Sequence, residues 1–95
     1  MPLVLTLKIA DDFYVDHAQF VVEELEPHVA CVIRRTSTGR KFRIVEERAI
    51  EILPDVHVSA GVRATSRQCQ LVIAAPREVI VMRGERYRKP PPGGK

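Results

Sequence analysis

The chain has 95 residues, a net charge of +3 and 45% hydrophobic residues. That length suits one small domain, and that hydrophobic content excludes a disordered chain. No apolar run approaches a membrane span and no charged-then-apolar opening marks a secretory leader, so a cytoplasmic protein is expected.

Leu3 to Ile9 (LVLTLKI) is rich in β-formers and predicts a first strand, followed by a turn at 10–12 and a short strand at Phe13–Val15. The stretch AQFVVEEL (18–25) suits a strand or a helical turn, and Pro27 ends it in either case. His28–Thr36 predicts a strand, and Ser37–Arg40 a hairpin turn in which Gly39 can take positive φ. Lys41–Glu46 alternates polar and apolar residues, so it is expected to pair back on the strand before it. Residues 47–53 are ambiguous. Val56–Arg63 and Cys69–Ala74 predict two further strands, with a loop at 64–67 between them. Pro76 and Arg77 turn the chain into a last strand at Val79–Met82, and GERYRK (84–89) can form about one helical turn. The PPPGGK tail, 90–95, has no means of packing and is expected to be disordered. The fold class is therefore all-β, mainly antiparallel, with a short C-terminal helix, arranged as a sandwich or partly open barrel. No internal repeat is convincing, although the two hairpin-like halves invite comparison.

Enzymatic constellations are missing from the sequence. His17, His28 and His57 show no metal-ligand spacing with Cys31 or Cys69, so no metal is expected. No nucleophile motif or Gly-rich phosphate loop is present, and no cofactor or catalysis is expected. The two cysteines, Cys31 and Cys69, are read as buried thiols in a reducing compartment, with a disulfide between them as the alternative. Charge is unevenly spread. Asp11, Asp12, Asp16, Glu23, Glu24 and Glu26 make the first third acidic, whereas Arg77, Arg83, Arg86, Arg88, Lys89 and Lys95 make the end basic, which suits an anionic partner there.

The stretch APREVIVMRGERY (75–87) carries a more specific signal. Ala75, Pro76, Arg77, Glu78, Val79, Val81, Arg83, Glu85 and Tyr87 resemble the last strand and helix start of the carbon storage regulator family (CsrA/RsmA). Leu5, Thr6 and Lys8 resemble that family's opening strand, with Leu7 standing where a basic residue is expected. The resemblance covers roughly residues 1–15 and 55–89, a single domain of 1–89 in which about 17–53 reads as an inserted β-hairpin. An alternative alignment sets DHAQFVVEEL against the third family strand and moves the insertion later. The resemblance implies an interlocked, strand-exchanged homodimer that binds GGA-containing loops of mRNA or small RNA and modulates translation. It also implies a composite site from the first strand of one copy and the last strand and helix start of the other.

On that basis the RNA-binding residues are expected to be Arg83, Lys8, Thr6, Leu5, Val81 and Met82. Arg83 can offer a planar fork of donors to a base or phosphate, and Lys8 adds phosphate attraction. For Leu5, Thr6 and Val81 the expected contribution is backbone or packing. Arg34, Arg35, Arg40, Lys41 and Arg43 form a second basic patch around the inserted turn. Two rivals stay open: a protein-interaction module on the same fold, engaging its partner through the insertion, and DNA binding through the basic hairpin.

Overall fold

The computed structural model describes residues 3–26, 29–61 and 67–88. It contains β1 (Leu3–Lys8), β2 (Asp12–Val15), β3 (Ala18–Glu26), β4 (Ala30–Arg35), β5 (Lys41–Val45), β6 (Ile50–Leu53), β7 (Val56–Ala60), β8 (Gln68–Ala74), β9 (Val81–Arg83) and α1 (Gly84–Arg88). The mainly antiparallel β fold with one short C-terminal helix is as expected. The ambiguous stretches 18–25 and 47–53 both contribute strands. The 90–95 tail and most of the 64–67 loop lie outside the described residues.

Two antiparallel sheets form, one in the order β1-β8-β7-β6 and the other β5-β4-β3-β2-β9. Alternation decides which side chains meet between them. Leu5 and Leu7 of β1, Phe20 and Val22 of β3, Phe42 and Ile44 of β5, and Leu71 and Ile73 of β8 are buried in one cluster. Each is separated from its neighbour on the strand by one residue that points the other way. The Phe13 and Phe20 rings stack at 5.4 Å, and Phe42 lies 6.2 Å from Phe20 at a tilt.

Residues 17–53 do not form an appended hairpin. They supply β3 and β4, two of the three inner strands of the five-stranded sheet, its edge strand β5, and the buried Phe20, Val22, Cys31, Ile33, Phe42 and Ile44. The physical reason is their alternation: a hairpin standing clear of the domain would leave these side chains in water. The last strand also starts later than its sequence suggests. Val79 closes a turn onto Pro76, its N–H donating to the carbonyl at 3.0 Å, so the chain joins the ladder only at Val81.

The structure contains the repeat that the sequence conceals. Cys31 and Cys69 are 38 residues apart, both buried, with their sulfurs 3.1 Å from each other. The same spacing relates Phe20 to Val58, Val22 to Ala60, and Ile33 to Leu71, all buried. Pairing repeats too. Leu7 lies opposite Cys69 and Leu5 opposite Leu71, just as Ile44 lies opposite Cys31 and Phe42 opposite Ile33. Thus β1 to β4 and β5 to β8 are two copies of a four-strand unit, each lending its first strand to the meander of the other. The neighbouring sulfur and burial both push the Cys31 thiol's pKa up, so it stays protonated at neutral pH.

Turn chemistry fits the short connections at Asp16 (φ 54°), Asp55 (φ 64°) and Gly39 (φ 75°), since Asp and Gly tolerate left-handed backbone. Ala10 (φ 76°) lacks that tolerance. Its amide donates to Val22 O at 2.8 Å, which holds the strained conformation in place. Ala10→Gly is expected to raise stability by about 1 kcal/mol, read as a higher midpoint in urea at unchanged slope.

Candidate nucleic-acid interface

β1 closes one sheet and β9 closes the other, each as an edge strand. The two edges lie on the same side of the sandwich. One cleft between them is lined by Leu3 of β1 together with Ala75, Pro76, Arg77, Val79 and Val81. A second, of about 180 Å³, is lined by Leu7, Ala10, Asp11 and Asp12 together with Arg83, Gly84, Glu85 and Arg88. One chain therefore brings its first strand and its last strand to a common seam.

Backbone parity shows which groups are open there. The Lys8 amide donates to Asp11 Oδ2 at 2.9 Å, and the Lys8 carbonyl accepts from the Asp11 amide at 3.0 Å, so Lys8 directs both groups away from β8. Alternate residues of an edge strand point the same way, so Thr6 and Val4 also present N–H and C=O outward. On the other edge, Asp16 N–H donates to Ile80 O at 2.7 Å and Ile80 N–H to Asp16 Oδ1 at 3.0 Å. Ile80 thus faces β2, as does the backbone of Met82 opposite Tyr14. Val81 has the opposite parity and turns its N–H and C=O out toward the seam; Arg83 does so with its N–H, its carbonyl being the first acceptor of α1.

The side chains divide differently. Leu5 and Leu7 are buried, so Leu5 acts through packing, and a basic residue at Leu7 would have to enter the core. Lys8 is exposed, Thr6 and Val81 are half-buried, and Met82 is exposed on the outer face. Arg83 shares the face of Val81 and lines the cleft beside Leu7. Among the described residues its guanidinium makes no hydrogen bond or ion pair, although Asp11, Asp12 and Glu85 line the same cleft.

Sequence reasoning missed the residues that hold this edge in place. Arg88 grips the Asp12 carboxylate with two guanidinium nitrogens, at 2.6 and 3.2 Å, and Gln19 donates to the same carboxylate at 2.7 Å. The Tyr87 ring stacks on Tyr14 at 3.7 Å, and its hydroxyl lies 2.9 Å from His17 Nδ1. These contacts fasten α1 to β2, directly after Arg83. Gly84 is required because a Cβ there would run into the Asp12 carboxylate, which Gln19 and Arg88 already hold. The signal in sequence was only an acid at 12 and aromatics at 14 and 87, and nothing in their spacing shows that they meet.

The hydrogen bond from Arg88 holds the Asp12 carboxyl below its usual range, against the opposing effect of burial and with further help from Gln19. A carboxyl lowered on folding contributes stability above its unfolded pKa, and loses it as pH falls through the folded value. The Tyr14–Tyr87 stack is therefore expected to keep its near-ultraviolet circular dichroism at neutral and mildly acidic pH, and to lose it below about pH 4. Asp12→Asn should show no such acid step.

The second basic patch is largely neutralised. Arg34 and Lys41 pair with Glu23 at 2.9 and 3.2 Å, and Arg43 pairs with Glu26 through two bonds at 3.1 and 2.8 Å. Arg40 lies over the Phe42 ring at 5.0 Å, and Arg35 buries its Nε without a hydrogen-bond partner among the described residues. The guanidinium of Arg43 beside Glu26, and the Lys41 and Arg34 cations beside Glu23, hold both carboxyls below their ordinary values.

Comparison with protein-family models, with curated proteins and with solved structures finds no match for this chain. Among the described residues no group of His, Cys, Asp and Glu is placed to hold a metal, and no helix is long and apolar enough to cross a membrane.

Proposed function

We propose that the chain binds a single-stranded RNA loop along the seam between β1 and β9, as a cytoplasmic regulator of translation. The observation that carries this reading is the pairing of an unengaged guanidinium, Arg83, with outward-facing backbone groups at Val4, Thr6 and Val81 and the N–H of Arg83. Bases splayed from an RNA loop present donor and acceptor edges that such groups can satisfy, and a guanidinium fork recognises a base edge or a phosphate. Lys8 stands beside the seam as a phosphate contact. The preference for a GGA loop comes from the likeness of residues 75–87 and 5–8 to the carbon storage regulator family.

Fluorescence anisotropy with a GGA-loop hairpin tests the reading. The hairpin should bind at least about tenfold more tightly than the same stem with the GGA replaced. Two phosphate contacts, from Arg83 and Lys8, would make the logarithm of affinity fall against that of salt with a slope of about −1 to −2, and a steeper slope would count further cations such as Arg77 in. Equal affinity for both loops would contradict sequence-selective binding.

One observation favours a second reading. Leu3, Val4, Ile80 and Met82 are exposed apolar side chains beside the two edges, a setting in which an extended protein segment can add as a strand. A partner protein that co-purifies after RNase treatment would favour it over RNA.

A further inference from the structure

We infer that the chain carries one RNA site and completes it alone, so that one molecule holds one hairpin and cannot bridge two. This rests on the RNA-binding reading above. The repeat is the starting point. It relates β1 to β5 and β2 to β6, so a seam equivalent to that of β1 and β9 would need β5 beside a strand docked on β6. Among the described residues no strand occupies that place, and β6 ends its sheet.

A second copy could not supply the missing strand in the manner of β9. Docking of β9 on β2 depends on Asp16, which holds Ile80 both through its own amide and through its carboxylate. Asp16 follows Val15 in the turn that pairs Val15 with Ala18, and the matching turn pairs Leu53 with Val56. Pro54 stands there in place of Asp16, with neither an amide proton nor a carboxylate. A proline at the end of an edge strand also discourages addition of a further strand. Glu51, exposed on β6, adds charge to the same edge.

The other half of the unused seam is occupied differently as well. Arg43 of β5 corresponds to Thr6 of β1, since it lies opposite Val32 as Thr6 lies opposite Gln70. Its guanidinium is held by Glu26, and Lys41 of the same strand is held by Glu23. The cations at that edge are thus committed within the protein. Those at the β1–β9 edge, Lys8 and Arg83, have no such partners among the described residues.

Native mass spectrometry of the full chain, alone and with the GGA-loop hairpin in excess, tests this. The free protein should have the mass of one chain, 10.7 kDa, and saturate with one hairpin bound. A two-chain particle carrying two hairpins would overturn the inference while leaving RNA binding intact, and so would one chain carrying two hairpins. A single chain that takes up no hairpin overturns the RNA reading and this inference with it. Arg83→Ala provides the control: it should keep the one-chain mass and need about ten- to a hundredfold more hairpin to reach the same bound fraction.

Discussion

Arg83→Ala is expected to bind the GGA hairpin about ten- to a hundredfold more weakly, and to unfold at the parent's midpoint. A hydrogen bond to a charged group contributes about 1.5–3 kcal/mol, which gives that range of affinity. Stability should not change, because among the described residues the side chain makes no hydrogen bond or ion pair and sits half-exposed in an open cleft. Arg83→Lys separates two roles. A lysine retains attraction to phosphate but not the planar fork, so loss of loop selectivity with partial recovery of affinity would show that the fork reads a base. Full recovery by lysine would reduce Arg83 to a phosphate contact. Anisotropy titration and urea unfolding on the same preparations measure both properties.

Phe20→Ala is expected to cost about 3–5 kcal/mol, a large share of the total stability of a chain of this size. Phe20 is fully buried on β3 and touches the aromatic partners that link three strands, with Phe13 at 5.4 Å on β2 and Phe42 at 6.2 Å on β5. Removing the ring would leave a cavity bordered by two other rings, which cannot close without shifting both strands. Phe20→Leu keeps most of the volume and should cost much less. A small loss for Phe20→Ala, read from urea unfolding, would mean that residues 17–53 are peripheral, as an inserted hairpin would be.

Much of the strand content was legible because alternation is local. LVLTLK and KFRIV each show which side chains turn inward without reference to the rest of the chain. The pairing was not legible, because β1 meets β8 and β2 meets β9 across about sixty intervening residues. The repeat escaped notice for a related reason. Burial constrains a position to be apolar without specifying which apolar residue fills it, so Phe20 corresponds to Val58 and Ile33 to Leu71. Cys31 and Cys69 are identical, but two cysteines alone do not reveal a period. Pro54 at the place of Asp16 further disguised it, since the two turns use different chemistry to make the same bend.

The candidate site divides along similar lines. Arg83, Thr6 and Val81 were picked out by resemblance, and the structure gives them open groups at one seam. Met82 differs: its backbone faces β2 and is used in the sheet, leaving only an exposed side chain. The basic cluster at 34–43 looked available because acids at 23 and 26 are far away in sequence. Pairing of β3 with β4, and of β4 with β5, brings them within 2.8 to 3.2 Å of those cations.

Amide hydrogen exchange of the full chain, with and without the GGA-loop hairpin, tests the central claim most directly. The account predicts that RNA slows exchange at Val4, Thr6, Val81 and Arg83, whose N–H groups face the seam, and leaves Lys41–Val45 unchanged. Slowed exchange confined to Lys41–Val45, or none on either edge under conditions where RNA is bound, would contradict it.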